Sequence, residues 1–285
     1  MTEGQPREPR PQLARLGAEL RRVRMLAGLS GRQVADAVGI SQATVSRLER
    51  GVSVPSLREL TAWADATEVG EDRRALLLGL GEAAVNEVTP LRERLGGGLT
   101  AVQESVRELE ATARTLRNFQ PGNIPGLLQT AGYARSILSL ADETADTAAA
   151  VSARLARQEI LHQPGRSFEF LLTEAALRYR PGPQALRTAQ LDHLAAVVTL
   201  ETISFGVIPA DAEMHAITRC GFVIYEDRID DLPPFVIAET PHASVYANDP
   251  AGVQVYRDQL AAFRESAVYG DDALKIVRRI AHPRT

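Results

Sequence analysis

Cysteine is almost missing from this chain. Cys220 stands alone in 285 residues, which rules out an internal disulfide and any cysteine-rich metal site and suits a reducing, cytoplasmic compartment. Lysine is almost missing too: Lys275 is the only one among 32 basic residues, so positive charge is carried on arginine. Trp63 is the single tryptophan, and its helical spacing assigns it to packing. The histidines, His162, His193, His215, His242 and His282, are scattered, with no pair at i,i+4 spacing, so no metal site is expected. No apolar run reaches the ~20 residues that a membrane span needs, so no membrane partner is expected. The polar, proline-bearing stretch 1–11 lacks the hydrophobic core of a signal peptide and is expected to be a disordered tail. Gly96-Gly97-Gly98 has no Lys-Ser/Thr after it and follows no strand, so it is not a phosphate loop. The carboxylate pairs Asp230-Asp231 and Asp271-Asp272 fall at a loop and at a helix start, where the dipole favours them. No nucleophile–base pattern surrounds Cys220 or any serine. Neither a cofactor nor an enzymatic activity is expected.

What is present is concentrated in Ser30–Gly51, which reads as two short helices joined by a tight turn. Ser30 with Gln33 makes a capping box. Val34, Ala35 and Val38 fall on one helical face, and Gly39 stands where the chain must reverse with positive φ. Ser41 caps the next helix, whose Val45 and Leu48 point inward. Gln42, Ala43, Thr44, Ser46, Arg47 and Arg50 are left for the outer and N-terminal surface. Small and polar residues with bidentate donors at a helix start are what entry into a DNA major groove requires.

The charge distribution points the same way. The chain carries a net −4, yet between Arg10 and Arg58 nine arginines face only Glu19, Asp36 and Glu49, a local +6. Residues 59–285 are acidic. A basic head on an acidic body suits a protein whose head alone approaches nucleic acid. Arg21, Arg22 and Arg24 on the first helix, read as Gln12–Ala27, serve equally well as a solvated face or as phosphate contacts.

Over about Leu13–Thr67, and above all in Thr44-Val-Ser-Arg-Leu-Glu-Arg-Gly51, the chain resembles the Cro/repressor-type (XRE) family of helix-turn-helix domains. The family often has Gln at the start of the second helix. Here that position is Gly31, which passes the backbone-contact role to Arg32 or Gln33. A fourth helix begins at the box Ser56/Glu59, and a fifth is expected over Glu71–Val88. The head is therefore expected to be an all-α domain of five helices over 12–89, followed by a linker over 90–98.

The second half, 99–285, reads as α+β with a small, largely antiparallel sheet. A charged helical pattern runs from Leu99 to about Leu116, as a connecting helix and dimer contact. Short β-rich runs recur at 168–173, 203–207, 222–225, 235–238 and 244–247, the last three suggesting a meander. Ile124-Pro-Gly-Leu-Leu-Gln-Thr130 with Tyr133, Ala153–Leu161 and Gly206-Val-Ile-Pro209 resemble the antitoxin-like C-terminal domain of a group of actinobacterial regulators. That resemblance implies a transcription regulator paired with a small protein encoded nearby. The candidate ligand- or partner-binding residues are Pro125, Gly126, Gln129, Tyr133, Arg154, Arg157 and Gln158, with Glu159 beside them. Their alternative role is an internal brace.

The combined expectation is a cytoplasmic homodimer that binds double-stranded DNA at a near-palindromic operator. Gln42, Thr44 and Arg47 would reach base edges, while Ser41, Ala43, Ser46, Arg50, Arg32 and Gln33 line the contact or hold phosphates. Its second half would bind a small protein, sense a small molecule, or serve mainly as a dimerisation body.

Overall fold

The computed structural model describes residues 11–90, 97–141 and 147–283. Residues 1–10 of the expected tail (1–11) and residues 91–96 of the expected linker lie outside the described residues, while Pro11 opens the first helix. The chain starts with five helices, α1 (Pro11–Leu26), α2 (Gly31–Val38), α3 (Gln42–Glu49), α4 (Leu57–Ala66) and α5 (Glu71–Val85). They close around Leu13, Leu16, Leu20, Val34, Val45 and Trp63, all buried. The local signals act where the sequence places them. Ser30 accepts from the Gln33 backbone N–H, and the Gln33 side chain reaches back to the Ser30 backbone. Gly39 adopts φ 78°, the left-handed conformation that ends α2 without a Cβ penalty. Ser56 and Glu59 repeat the box at α4.

Helix α5 ends at Val85, short of the expected Val88, and the chain continues as strand β1 (Asn86–Pro90). The remaining elements follow as α6 (Gly98–Ala111), β2 (Ala113–Gln120), α7 (Ala131–Ala141), α8 (Thr147–Arg157), β3 (Ser167–Thr173), α9 (Glu174–Arg178) and α10 (Gln184–Val197). They end with β4 (Ile203–Ile208), β5 (Phe222–Arg228), β6 (Phe235–Glu239), β7 (Ala243–Ala247), α11 (Pro250–Glu265), β8 (Val268–Tyr269) and α12 (Gly270–Ala281).

The expectation of a small, largely antiparallel sheet is wrong. One eight-stranded mixed sheet runs in the order β1-β7-β6-β5-β2-β3-β4-β8. Its middle is a parallel ladder, β2 on β3 and β3 on β4, flanked by antiparallel pairs. Three strands lie outside the expected runs: β1, most of which falls within the expected fifth helix, β2, which the expected connecting helix covers as far as Leu116, and β8, only two residues long. A central strand is normally apolar on both faces. β2 is not, because its polar side chains have partners from distant sequence. Arg117 pairs with Glu226 and lies 3.5 Å from Glu169, while α11 adds Arg257 to Glu226 at 2.5 Å and Arg264 to Glu169 at 2.7 Å.

One sheet face, through Leu116, Phe168, Phe170, Val207, Tyr225 and Ile237, packs under α7, α9, α10 and α12. The other face, through Phe119, Leu171, Ile224 and Val236, packs on Val253, Leu260 and Phe263 of α11. Among the described residues no helix is long and apolar enough to cross a membrane.

Candidate functional site

Helix α3 is held from behind and open in front. Val45 and Leu48 are buried, at 2% exposure each. Arg24 of α1 donates through Nη2 to Glu49 Oε2 at 2.9 Å, pairs with Glu49 Oε1 through Nε, and reaches the Leu29 carbonyl at 2.8 Å. Arg24 is thereby committed to the fold and is unavailable to a phosphate. Arg22 is similarly paired with Glu19 at 2.8 Å. α1 and the end of α3 also touch backbone to backbone. A Cβ on Gly17 would lie 2.7 Å from Gly51 N and from the Leu48 carbonyl.

The front of α3 carries the expected residues. Gln42, Ala43, Ser46 and Arg50 are exposed, and Thr44 and Arg47 are partly so. Ser41 Oγ accepts the Thr44 backbone N–H at 3.0 Å and lies 2.8 Å from Thr44 Oγ1, which in turn accepts from Arg47 Nη2 at 3.1 Å. The guanidinium is thus steered along the outer face toward the N-terminal turn of the helix. Arg50 Nε donates to the Ser46 carbonyl at 3.2 Å, and the remaining guanidinium faces solvent. On α2, Arg32 is exposed, whereas the Gln33 carboxamide oxygen is occupied by the Ser30 N–H at 2.8 Å. Of the two candidates for backbone contact, Arg32 is therefore the one whose side chain has no partner among the described residues. Space exists at Gly31 itself: a Cβ there would meet only Val45 Cγ1, at 3.7 Å.

A second site lies in the other half of the chain. A cavity of about 280 Å³ opens between α6, α7, α8 and the β2–β5–β6 part of the sheet. Five of the seven candidates, Pro125, Gly126, Gln129, Arg154 and Arg157, line it; Tyr133 and Gln158 do not. Tyr133 is fully buried in the core, and burial pushes its phenol up to about 12. Gln158 is a brace, donating to the Gln129 carbonyl at 2.7 Å and the Gly126 carbonyl at 3.3 Å. Glu159 is exposed.

The two arginines differ. Arg157 is buried and forked onto Glu110, with Nε at 2.9 Å and Nη2 at 2.6 Å, and its Nη1 reaches Gln103 at 2.6 Å. Burial pushes the Glu110 carboxyl above its ordinary range, and Arg157 and Arg154 oppose that shift. Among the described residues Arg154 donates to amide oxygens alone, Gln103 at 3.1 Å and Gln129 at 2.7 Å, with Glu239 and Glu110 acting on it through space. Burial, with the neighbouring Arg157 charge, lowers it to about 10. Gln103, Glu110, Asn118 and Gln120 also line the cavity and were missed from sequence. Nothing local to Asn118 marks it in the sequence, because Arg117 before it and Gln120 after it make the whole stretch look polar.

This fold and this surface define a helix-turn-helix protein, and residues 15–77 match the model described as "Helix-turn-helix domain". The larger part, residues 103–279, matches the model described as "Domain of unknown function (DUF5753)", and the chain belongs to that family. No curated protein matches the chain. Among solved structures, the chain is similar at 11% identity to TrmBL2, titled an archaeal chromatin protein with a novel mode of DNA binding. The match covers 88% of this chain and 93% of that one at a TM-score of 0.31.

Proposed function

We propose that this protein is a sequence-specific DNA-binding transcription regulator of the Cro/repressor type, acting in the cytoplasm as a homodimer on a near-palindromic operator. The observation that carries the reading is the division of α3. Val45 and Leu48 are locked into the core while Gln42, Thr44 and Arg47 lie along the open face. Gln42 suits adenine N6/N7 and Arg47 suits guanine O6/N7, the bidentate pairings that discriminate bases in the major groove. Ser41, Ser46, Arg50 and Arg32 fit phosphates on either side, helped by the amide-rich start of α3. A two-fold dimer sets its recognition helices about one DNA turn, ~34 Å, apart. The test is genome-wide DNA capture followed by footprinting of the enriched fragments. Protection of paired half-sites in successive major grooves supports the reading, and uniform recovery of all fragments refutes it.

The acidic second half is read as the regulatory body. Its resemblance to antitoxin-like domains supports a small protein partner, and co-purification with the product of an adjacent short reading frame tests that. The cavity beside Arg154 favours a second reading, a sensor for a small molecule, since a lined pocket is not needed by a body that only dimerises.

A further inference from the structure

We propose that the cavity between α6, α8 and β2–β5–β6 binds a small apolar α-amino acid or its N-acyl derivative, the carboxylate held by Arg154 and the N–H by Asn118. This rests on the sensor reading of the second half and names its ligand class. Size is the first constraint. At about 280 Å³ the cavity lies at the lower edge of ligand pockets, about 300–1,000 Å³, so the occupant is small.

Charge is the second constraint. Arg157 is spent on Glu110, but Arg154 donates through Nε and Nη1 to two neutral carboxamides. Its Nη2 has no acceptor, and no carboxylate is paired with it, among the described residues. Glu239 and Glu110 act on this guanidinium only through space, without an ion pair, and a carboxylate ligand supplies a direct partner in the planar geometry that suits it. The lining also holds Glu110 and Glu239, so its formal charge balances to zero. That balance admits a single carboxylate accompanied by a nitrogen donor. It disfavours a phosphate or a dicarboxylate, which would face both glutamates with charge to spare.

The third constraint is Asn118. It is 8% exposed, it lines the cavity, and its Oδ1 has no hydrogen-bond partner among the described residues. Buried carboxamide oxygens are rarely left so, and this one calls for an N–H donor. Leu116, Leu127, Ile137, Leu138 and Ile237 complete the wall with apolar surface, which receives an aliphatic arm.

The test is calorimetric titration of the full chain with L-leucine and with N-acetyl-L-leucine, whose comparison separates a charged from an acylated nitrogen. N-acetyl-L-leucine methyl ester and the N-methylated acid serve as controls. Saturable binding of at least one of the first two is expected. Loss of the carboxylate charge, or Arg154→Gln, should weaken it about tenfold or more, the scale of one charge-assisted hydrogen bond. The N-methylated acid should also bind more weakly, and Asn118→Leu should erase the difference between it and its parent. Because the ester and N-methyl arms use unaltered protein, a variant that fails to fold does not decide the matter. Absence of binding by both acids at millimolar concentration, or an ester that binds as well as its acid, overturns the proposal. Saturable binding that leaves operator affinity unchanged would refute the sensor reading and keep the ligand assignment, so the two can fail apart.

Discussion

Arg47 and Arg50 stand three residues apart, yet the structure prepares them differently. Arg47 is steered by Thr44 along the outer face of α3, whereas Arg50 caps the helix end and leans on the Ser46 carbonyl. Arg47→Ala is expected to cost about 1–3 kcal/mol on the best operator and to relax one base position. Arg50→Ala is expected to weaken all sequences alike and to lower the salt slope by about one. Salt-titrated affinities on operator and random duplexes separate the two, and equal losses on both duplexes for Arg47→Ala would remove it from base reading. Glu174 carries a pH dependence of the body. Burial alone would push its carboxyl up, but Arg178, the Ala210 N–H at 3.1 Å and Arg279 together hold it below its ordinary 4.5. A depressed carboxylate contributes stability that is complete above the unfolded value and is lost as pH falls through the folded one. Melting temperatures from neutral pH to pH 3 should therefore fall more steeply for the parent than for Glu174→Gln. Residue roles were legible where they are local. Ser30, Gln33, Gly39 and Ser41 announce themselves within a few positions. The Arg24–Glu49 pair spans α1 and α3 and gives no such sign.

Packing of elements turns on two glycines. Gly17 in α1 and Gly51 after α3 let the two backbones meet. A Cβ on Gly51 would lie 2.8 Å from Ala14 Cα, and Gly51 itself sits at φ +66°. Gly17→Ala presses a methyl into three backbone atoms that cannot rotate away. Overpacking of this kind costs about 1–3 kcal/mol. The expected outcome is a lower melting temperature for the head and weaker binding to every duplex, without a change in base preference. Gly31→Ala, by contrast, places its Cβ in ordinary contact with Val45 Cγ1 at 3.7 Å and should leave the fold intact. The helices of the head were readable because apolar period, caps and turn glycine agree. β2 was not, because Arg117 and Asn118 mask the apolar alternation. Their reasons for being in a central strand, the ion pairs with Glu169 and Glu226 and the cavity, come from elsewhere in the chain.

At the level of the whole chain, head and body share a sheet. β1 follows α5 directly and pairs with β7, which pairs with β6, and β6 contributes Ile237 and Glu239 to the cavity. Asn248, just after β7, is buried and donates to the Ala84 carbonyl of α5 at 3.1 Å. Asn248→Ala strands that carbonyl, at a cost of about 1–3 kcal/mol, and should speed amide exchange at the end of α5. Unchanged exchange there would show that the contact does not tie head to body. Nothing local in Asn86–Pro90 declares a strand, since it becomes one by finding the edge that β7 offers.

The most direct measurement of the central claim is selection of bound duplexes from a random pool by the parent chain and by Gln42→Ala/Thr44→Ala/Arg47→Ala. The parent is expected to enrich a near-palindromic motif, while the triple variant melts at the same temperature and enriches none. A parent that enriches nothing, or a triple variant that selects the same motif, would contradict the assignment of α3 as the reading surface.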